Sequence, residues 1–258
     1  MRRIVIKIGT GVLANDTGSI NYPAMAKIVA EISGIRKKGN EIIMVTSGAI
    51  GAGMAELGLR EKPKEVRMKQ AAAAVGQGII MAKYRELFSR QNITVAQILL
   101  SYDAFTDRKK SANLKNSIET LLKMDVIPII NENDPVSIDE IGPSFGDNDK
   151  LSALVAGKMG AKTLIILTTV DGIYNKDPRY RDARMIKEVH TLGKSLESLK
   201  GKANSLGTGG IQTKIEAARI AMGSGTTTII LNGRKHSIAL ALKGNVQGTI
   251  FHAKDKRK

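Results

Sequence analysis

Short apolar runs recur along the chain, and between them apolar residues fall at helical spacing. Residues 3–8 form a strand candidate that ends in Gly9-Thr10-Gly11. Met25, Ile28, Val29, Ile32 and Ile35 then return every three or four positions, the period of one helix face. Arg36-Lys37-Lys38 fills the end of that helix and Gly39 stops it, which suits the negative end of the dipole and a left-handed cap. Residues 41–46 predict a second strand, followed at once by Ser47-Gly48-Ala49-Ile50-Gly51. A long helix is expected over 67–90, a third strand over 93–100, a helix over 108–124 and a fourth strand over 126–130. A helix over 149–159 and a strand over 163–167 come next. Residues 175–206 predict an irregular, charged region, a hairpin plus a short helix. A helix over 211–222, a strand over 226–231 and a short strand near Thr249-Ile250-Phe251 complete the pattern, before a frayed tail. Several strands are apolar at every position, so both faces should be buried. Strands of that kind, alternating with helices, predict an α/β fold with a mostly parallel sheet between helix layers.

The stretch after the fourth strand breaks the pattern. Glu132, Asp134, Asp139, Glu140, Asp147 and Asp149 crowd into a turn-rich segment that enters a helix near Asn148. Acid at a strand end and again at a helix start is where α/β enzymes hold polar ligands. Asp147 or Asn148 would equally serve as an ordinary helix cap.

Composition narrows the classes. The 258 residues, 42% of them hydrophobic, suffice for one substantial core. With no cysteine, disulfides, thiolate metal sites and a cysteine nucleophile are excluded. Ile4-Val5-Ile6 is too short for a signal-peptide core and no stretch approaches a membrane span, so a cytoplasmic protein without membrane association is expected. A net charge of +16 invites nucleic acid as a partner, but aromatics are 3% and tryptophan is absent, so base-stacking platforms are scarce. A lysine-rich surface around a site for small anions is the better reading.

Three glycine-rich turns suggest that anion. They are Gly9-Thr10-Gly11, Gly48-Ala49-Ile50-Gly51 and Gly207-Thr208-Gly209-Gly210, the last leading into Lys214. Glycine lets backbone N–H groups approach a phosphate, and a helix start adds the positive end of its dipole. None of the three is a Walker A loop or a dinucleotide fingerprint. Lys7, next to last in a buried strand, requires an anion for its ammonium. His190, His236 and His252 all lie in the C-terminal half, away from the acidic stretch, and Ser47 has no nucleophile elbow, so a hydrolase triad is not expected.

Five segments in order resemble the amino acid kinase family. They are Lys7-Ile8-Gly9-Thr10, Val45 to Ile50, Asn131-Glu132-Asn133-Asp134, Gly146 to Ala153, and Leu206 to Gly210 with Lys214. The likeness runs from Lys7 to Phe251-His252-Ala253, and it points to the members that phosphorylate L-glutamate on its side-chain carboxylate. It implies a three-layer αβα sandwich forming a single domain over 1–258, with an acceptor lobe (1–160) and a nucleotide lobe (161–258). It implies ATP and Mg²⁺, the first step of proline biosynthesis, feedback by proline and a homo-oligomer. By resemblance Lys7, Lys214 and Asp149 are catalytic. Ser47, Asp134 and Asn148 bind the acceptor. Lys7, Thr168, Thr169, Thr208, Gly209, Gly210, Ile211, Gln212, Thr213 and Lys214 bind the nucleotide, and no side chain is assigned to a metal. Thr169 stands where many members have aspartate. Longer members continue into a PUA domain, so a short form is expected. Acetylglutamate, isopentenyl phosphate and UMP kinases are alternatives within the family, and a non-catalytic nucleic-acid-binding protein is the alternative outside it.

Overall fold

The computed structural model describes residues 2–15, 19–136, 148–193 and 210–254. Its centre is β1 (Arg3–Ile8), whose apolar residues are almost fully buried. Each such isoleucine contributes about 1.5–3 kcal/mol on burial, enough to commit this segment to the middle of a sheet. The other strands are β2 (Glu41–Val45), β3 (Val95–Leu100), β4 (Ile127–Glu132), β5 (Thr163–Thr168), β6 (Glu188–Val189), β7 (Thr227–Asn232) and β8 (Gly248–Phe251). They form one sheet in the order β3-β4-β2-β1-β5-β7-β8-β6. Every neighbouring pair is parallel except β7 with β8.

The helices are α1 (Thr10–Leu13), α2 (Tyr22–Arg36), α3 (Ala49–Glu56), α4 (Val66–Ser89), α5 (Asp103–Thr106), α6 (Arg108–Lys123), α7 (Asn148–Lys158), α8 (Ile211–Gly223) and α9 (Ile238–Leu242). They cover both faces of the sheet. Ile4, Ile6 and Ile8 pack with Met25 and Ile32 of α2 and with Tyr84 and Phe88 of α4. Val5, Ile43 and Val45 pack on the opposite face with Ile118 of α6, Leu151 of α7 and Ile215 of α8. Strand side chains alternate between faces, so Lys7 shares the side of Val5 and points toward α7 and α8.

The chain leaves β1 toward β2 on one side and returns from β4 to β5 on the other. The strand order therefore reverses between β1 and β5, and the carboxyl ends there open into the crevice where α/β sheets bind ligands.

Several details depart from the sequence reading. Residues 10–13 and 49–56 are helices where the glycines suggested open turns, and α5 and α9 were not foreseen. Strand β4 runs on through Asn131 and Glu132, which puts those polar groups at the end of a central strand. The irregular region contains an antiparallel bridge from Tyr174 to Met185, but its chain then joins β8 in parallel as β6. Asp139, Glu140, Asp147, residues 194–206 of the region expected to hold a hairpin and a short helix, and the end of the tail lie outside the described residues.

Candidate active site

The alternation along β1 delivers Lys7 to the α7/α8 side, where it is only 3% exposed. A buried ammonium there needs a counter-charge. Asp149, in the first turn of α7, supplies it. Its Oδ1 lies 2.6 Å from Lys7 Nζ and its Oδ2 3.1 Å from Lys214 Nζ, which comes from the first turn of α8. Thr213 Oγ1 also donates to Oδ2 (3.0 Å). Burial pushes the Asp149 pKa up, but attraction to Lys7 and Lys214 and their hydrogen bonds outweigh it and bring it down to about 2. Two lysines far apart in sequence thus flank one carboxylate at the strand-order reversal. The structure brings Lys7, Lys214 and Asp149 together, with Thr213 beside them.

Next to this group a chain of amides runs into the sheet. Asn148 Nδ2 donates to the Thr46 carbonyl (2.6 Å) and to Asn131 Oδ1 (2.8 Å), with Ser47 Oγ at 3.1 Å. Asn131 Nδ2 donates in turn to Gln77 Oε1 (2.7 Å). A backbone carbonyl only accepts, so Thr46 fixes which end of Asn148 is nitrogen, and that choice fixes Asn131 and then Gln77. The relay leaves Gln77 Nε2 buried, with no hydrogen-bond partner among the described residues. Gln77 lines a cavity of about 290 Å³ together with Gln97, Glu132 and Asp134. Ser47 and Asn148 therefore touch each other, whereas Asp134 stands on the wall of the cavity that Gln77 also lines.

Backbone close approach holds these pieces in place. Gly48 heads α3 at φ +97°, a conformation that favours glycine. Helices α3 and α4 cross with backbone against backbone. A Cβ on Gly76 would meet Ala49 O at 1.9 Å, and one on Gly53 would meet Ala72 O at 1.7 Å.

Loops after β1, β5 and β7 are laced together on the other side of Lys7. Gly9 N donates to Leu167 O (3.0 Å). Asn232 Nδ2 donates to Thr169 O (2.8 Å) and to Asp171 Oδ1 (2.9 Å), while Arg234 donates to the carbonyls of Gly11 and Ala14. Thr168 ends β5, and exposed Thr169 packs its methyl against Gly11. Burial raises the Asp171 pKa, but hydrogen bonds from Asn232 and Lys235 and the positive charges of Lys235 and His236 prevail and lower it. Gly210 begins α8 without a side-chain cap, ahead of half-buried Ile211 and exposed Gln212. Thr208 and Gly209 lie outside the described residues.

The sequence reading gave no role to Gln77, Asn131, Asn232 or Arg234. Two of them carried a signal. Asn131 is a polar residue closing an apolar strand, and Gln77 sits between Gly76 and Gly78 in an alanine-rich helix.

The arrangement offers two buried ammoniums and open helix starts for a polyanion, beside an amide-lined cavity for a small polar molecule. Residues 2–232 match the sequence model of the amino acid kinase family. A protein of Methanococcoides burtonii named glutamate 5-kinase is 47% identical over 252 residues, 96% of this chain and 67% of that protein. Another of that name, from Clostridium perfringens, is 44% identical over 258 residues, 98% of this chain and 96% of that protein. Among solved structures, carbamate kinase from Giardia lamblia bound to AMP-PNP superposes with a TM-score of 0.70 at 17% identity, over 98% of this chain and 99% of that one. Isopentenyl phosphate kinase of T. acidophilum in a product complex gives 0.68 at 20% identity, over 97% and 100%. At such identities these structures establish the fold.

Proposed function

The chain belongs to the amino acid kinase family, and from that premise we propose that it transfers the γ-phosphoryl group of ATP to the side-chain carboxylate of L-glutamate. The product is glutamyl 5-phosphate, which feeds proline biosynthesis. The observation that carries the reading is the pair of buried ammoniums of Lys7 and Lys214 on one carboxylate, Asp149.

The acceptor needs no general base, because a carboxylate of pKa about 4.3 is already ionised at neutral pH. The reaction needs alignment, and positive charge around a phosphoryl group whose negative charge spreads as it moves. Lys7 and Lys214 provide that charge from the two sides of the strand-order reversal. Asp149 keeps them together by offsetting their mutual repulsion. Gly9, Gly48 and Gly210 open helices without a side-chain cap, and their neighbouring N–H groups suit phosphate oxygens. Asp134 is assigned to the glutamate ammonium, and Ser47 and Asn148 to glutamate binding beside it, with Gln77 Nε2 as a further donor for a carboxylate oxygen. Thr168, Thr169 and the segment from Thr208 to Lys214 are assigned to the nucleotide.

Mg²⁺ belongs to this reading with the nucleotide. Both Asp149 oxygens face ammoniums, so this group does not suit a metal held by the protein. The ion's natural ligands here are phosphate oxygens and water, its usual partners in such enzymes. Feedback by proline and a homo-oligomer enter through the family resemblance. Among the described residues no helix is long and apolar enough to cross a membrane, and a cytoplasmic location is part of the proposal.

The test is ADP release with glutamate, N-acetylglutamate, aspartate, UMP and isopentenyl phosphate as acceptors. Turnover with glutamate above all others is expected. Preference for any other acceptor rejects the assignment, and salt-sensitive RNA binding without turnover would favour the non-catalytic alternative.

A further inference from the structure

Two of the chain's three histidines meet at the far edge of the sheet, away from the lysines. Glu188 and His190 lie two residues apart at β6 and so share a face. The parallel register of β6 with β8 pairs Val189 with Phe251, and His252 N donates to Val189 O (2.9 Å), which sets His252 beside His190. The two rings stack with centroids 4.2 Å apart and planes within 3°. Glu188 Oε2 lies 3.1 Å from His252 Nε2 and 3.4 Å from His190 Nε2.

We propose that Glu188, His190 and His252 form a binding site for a divalent transition-metal ion, with Zn²⁺ as the representative. All three ligand atoms lie within 4.8 Å of one another. Zinc holds nitrogen and oxygen ligands at about 2.0–2.2 Å, so neighbouring ligands of a tetrahedral ion stand roughly 3.3 Å apart. The two carboxylate–imidazole distances already match that spacing. Two imidazoles and one carboxylate select zinc, nickel, cobalt or copper over magnesium or calcium, which prefer oxygen ligands alone. Three protein ligands leave a fourth position for water. The ring stacking opens slightly to direct both Nε2 atoms at the ion.

The site has a structural consequence. Strand β6 has only two residues and lies at the edge, where β8 is its one sheet neighbour among the described residues. An ion bridging Glu188 and His190 to His252 staples that edge. It also anchors the chain just before the segment that leads to Gly210 and Lys214.

The experiment titrates ZnCl₂ into tag-free wild-type protein and into His190→Asn, His252→Asn and Glu188→Gln variants. It follows heat, histidine ring resonances and melting temperature. The expected result is one ion per chain with micromolar affinity, and a rise in Tm. Either histidine variant should weaken binding by about tenfold or more and abolish the Tm rise. All three side chains are exposed or half-buried, so the variants should fold, and unchanged glutamate-dependent turnover without zinc checks this. Absence of binding to the wild type overturns the proposal. So does binding that survives in both histidine variants, which would assign the ion to another site.

Discussion

Asp149 is the residue on which the two lysines depend. It is fully buried, and Lys7 and Lys214 are nearly so. Removing one partner from a buried ion pair leaves uncompensated charge, at a cost of about 3–5 kcal/mol. Asp149→Asn should lose stability on that scale in urea unfolding at pH 7, because two ammoniums then face each other across a neutral amide. Sulfate should restore more stability to this variant than to the wild type, since an anion bound beside the two lysines offsets the charge that the amide leaves uncompensated; equal effects would contradict the pairing. The pH dependence has a definite sign. The folded-state pKa of Asp149 is about 2, below the ordinary value of 3.8. Its stabilisation is therefore complete above pH about 4 and is lost as pH falls through about 2. The stability gap between wild type and variant should close over that window. Lys214→Ala tests the chemistry directly. A donor used mainly in the transition state is worth ~10²–10³ in rate. Steady-state kinetics should show that fall in kcat with little change in the glutamate KM.

At the scale of elements, the crossing of α3 and α4 determines where the acceptor groups stand. Helix α3 begins directly after Ser47 and Gly48, and α4 carries Gln77 one residue beyond Gly76. A methyl at Gly76 would fall 1.9 Å from the Ala49 carbonyl and 2.3 Å from the Gly53 nitrogen, both backbone atoms that no rotamer change can move. Gly76→Ala should destabilise by at least the ~1–3 kcal/mol of ordinary overpacking. It should also raise the glutamate KM, because Ser47 and Gln77 are displaced relative to each other. Thermal denaturation and acceptor kinetics on the same sample check both effects. The strands and long helices were legible because burial on both faces leaves uninterrupted apolar runs, and amphipathic helices leave a repeat of three to four. The short helices α1, α3, α5 and α9 are too brief to show a period, and glycine at the head of α1 and α3 disguised helix starts as loops. The antiparallel return of β8 was not legible either. Strand direction is set by connections and neighbours, not by the strand's own residues. In the Lys7–Asp149–Lys214 group, Lys7 is legible as a cation in a buried strand, Lys214 only through the glycines before it, and Asp149 through the family resemblance. Gln77 escaped because its flanking glycines mark a close approach but not what the amide faces, and its partner Asn131 lies 54 residues away in the sequence.

At the scale of the molecule, β1 divides the sheet into two halves that meet at Lys7. The β2–β4 side holds Ser47, Asn131, Asn148 and the cavity wall with Asp134, while the β5–β7 side holds Thr168, Thr169, Asn232 and the loop to Arg234. The chain carries 40 lysines and arginines against 24 acids, and its net charge of +16 favours the approach of anions such as ATP and glutamate. If the halves divide the two substrates, single substitutions should separate their Michaelis constants. Asp134→Ala removes an acid from the cavity wall and should raise the glutamate KM while leaving the ATP KM near its original value. Asn232→Ala cuts the hydrogen bonds to Thr169 O and Asp171, freeing the loop after β5, and should do the reverse. The charge-assisted bond to Asp171 makes the second effect the more specific, about 1.5–3 kcal/mol for a hydrogen bond of that kind. Measuring both constants for both variants gives four numbers, and the proposal requires the two large changes to lie on the diagonal. A rise in the ATP constant on loss of Asp134, or in the glutamate constant on loss of Asn232, would mean that the strand-order reversal does not separate acceptor from donor.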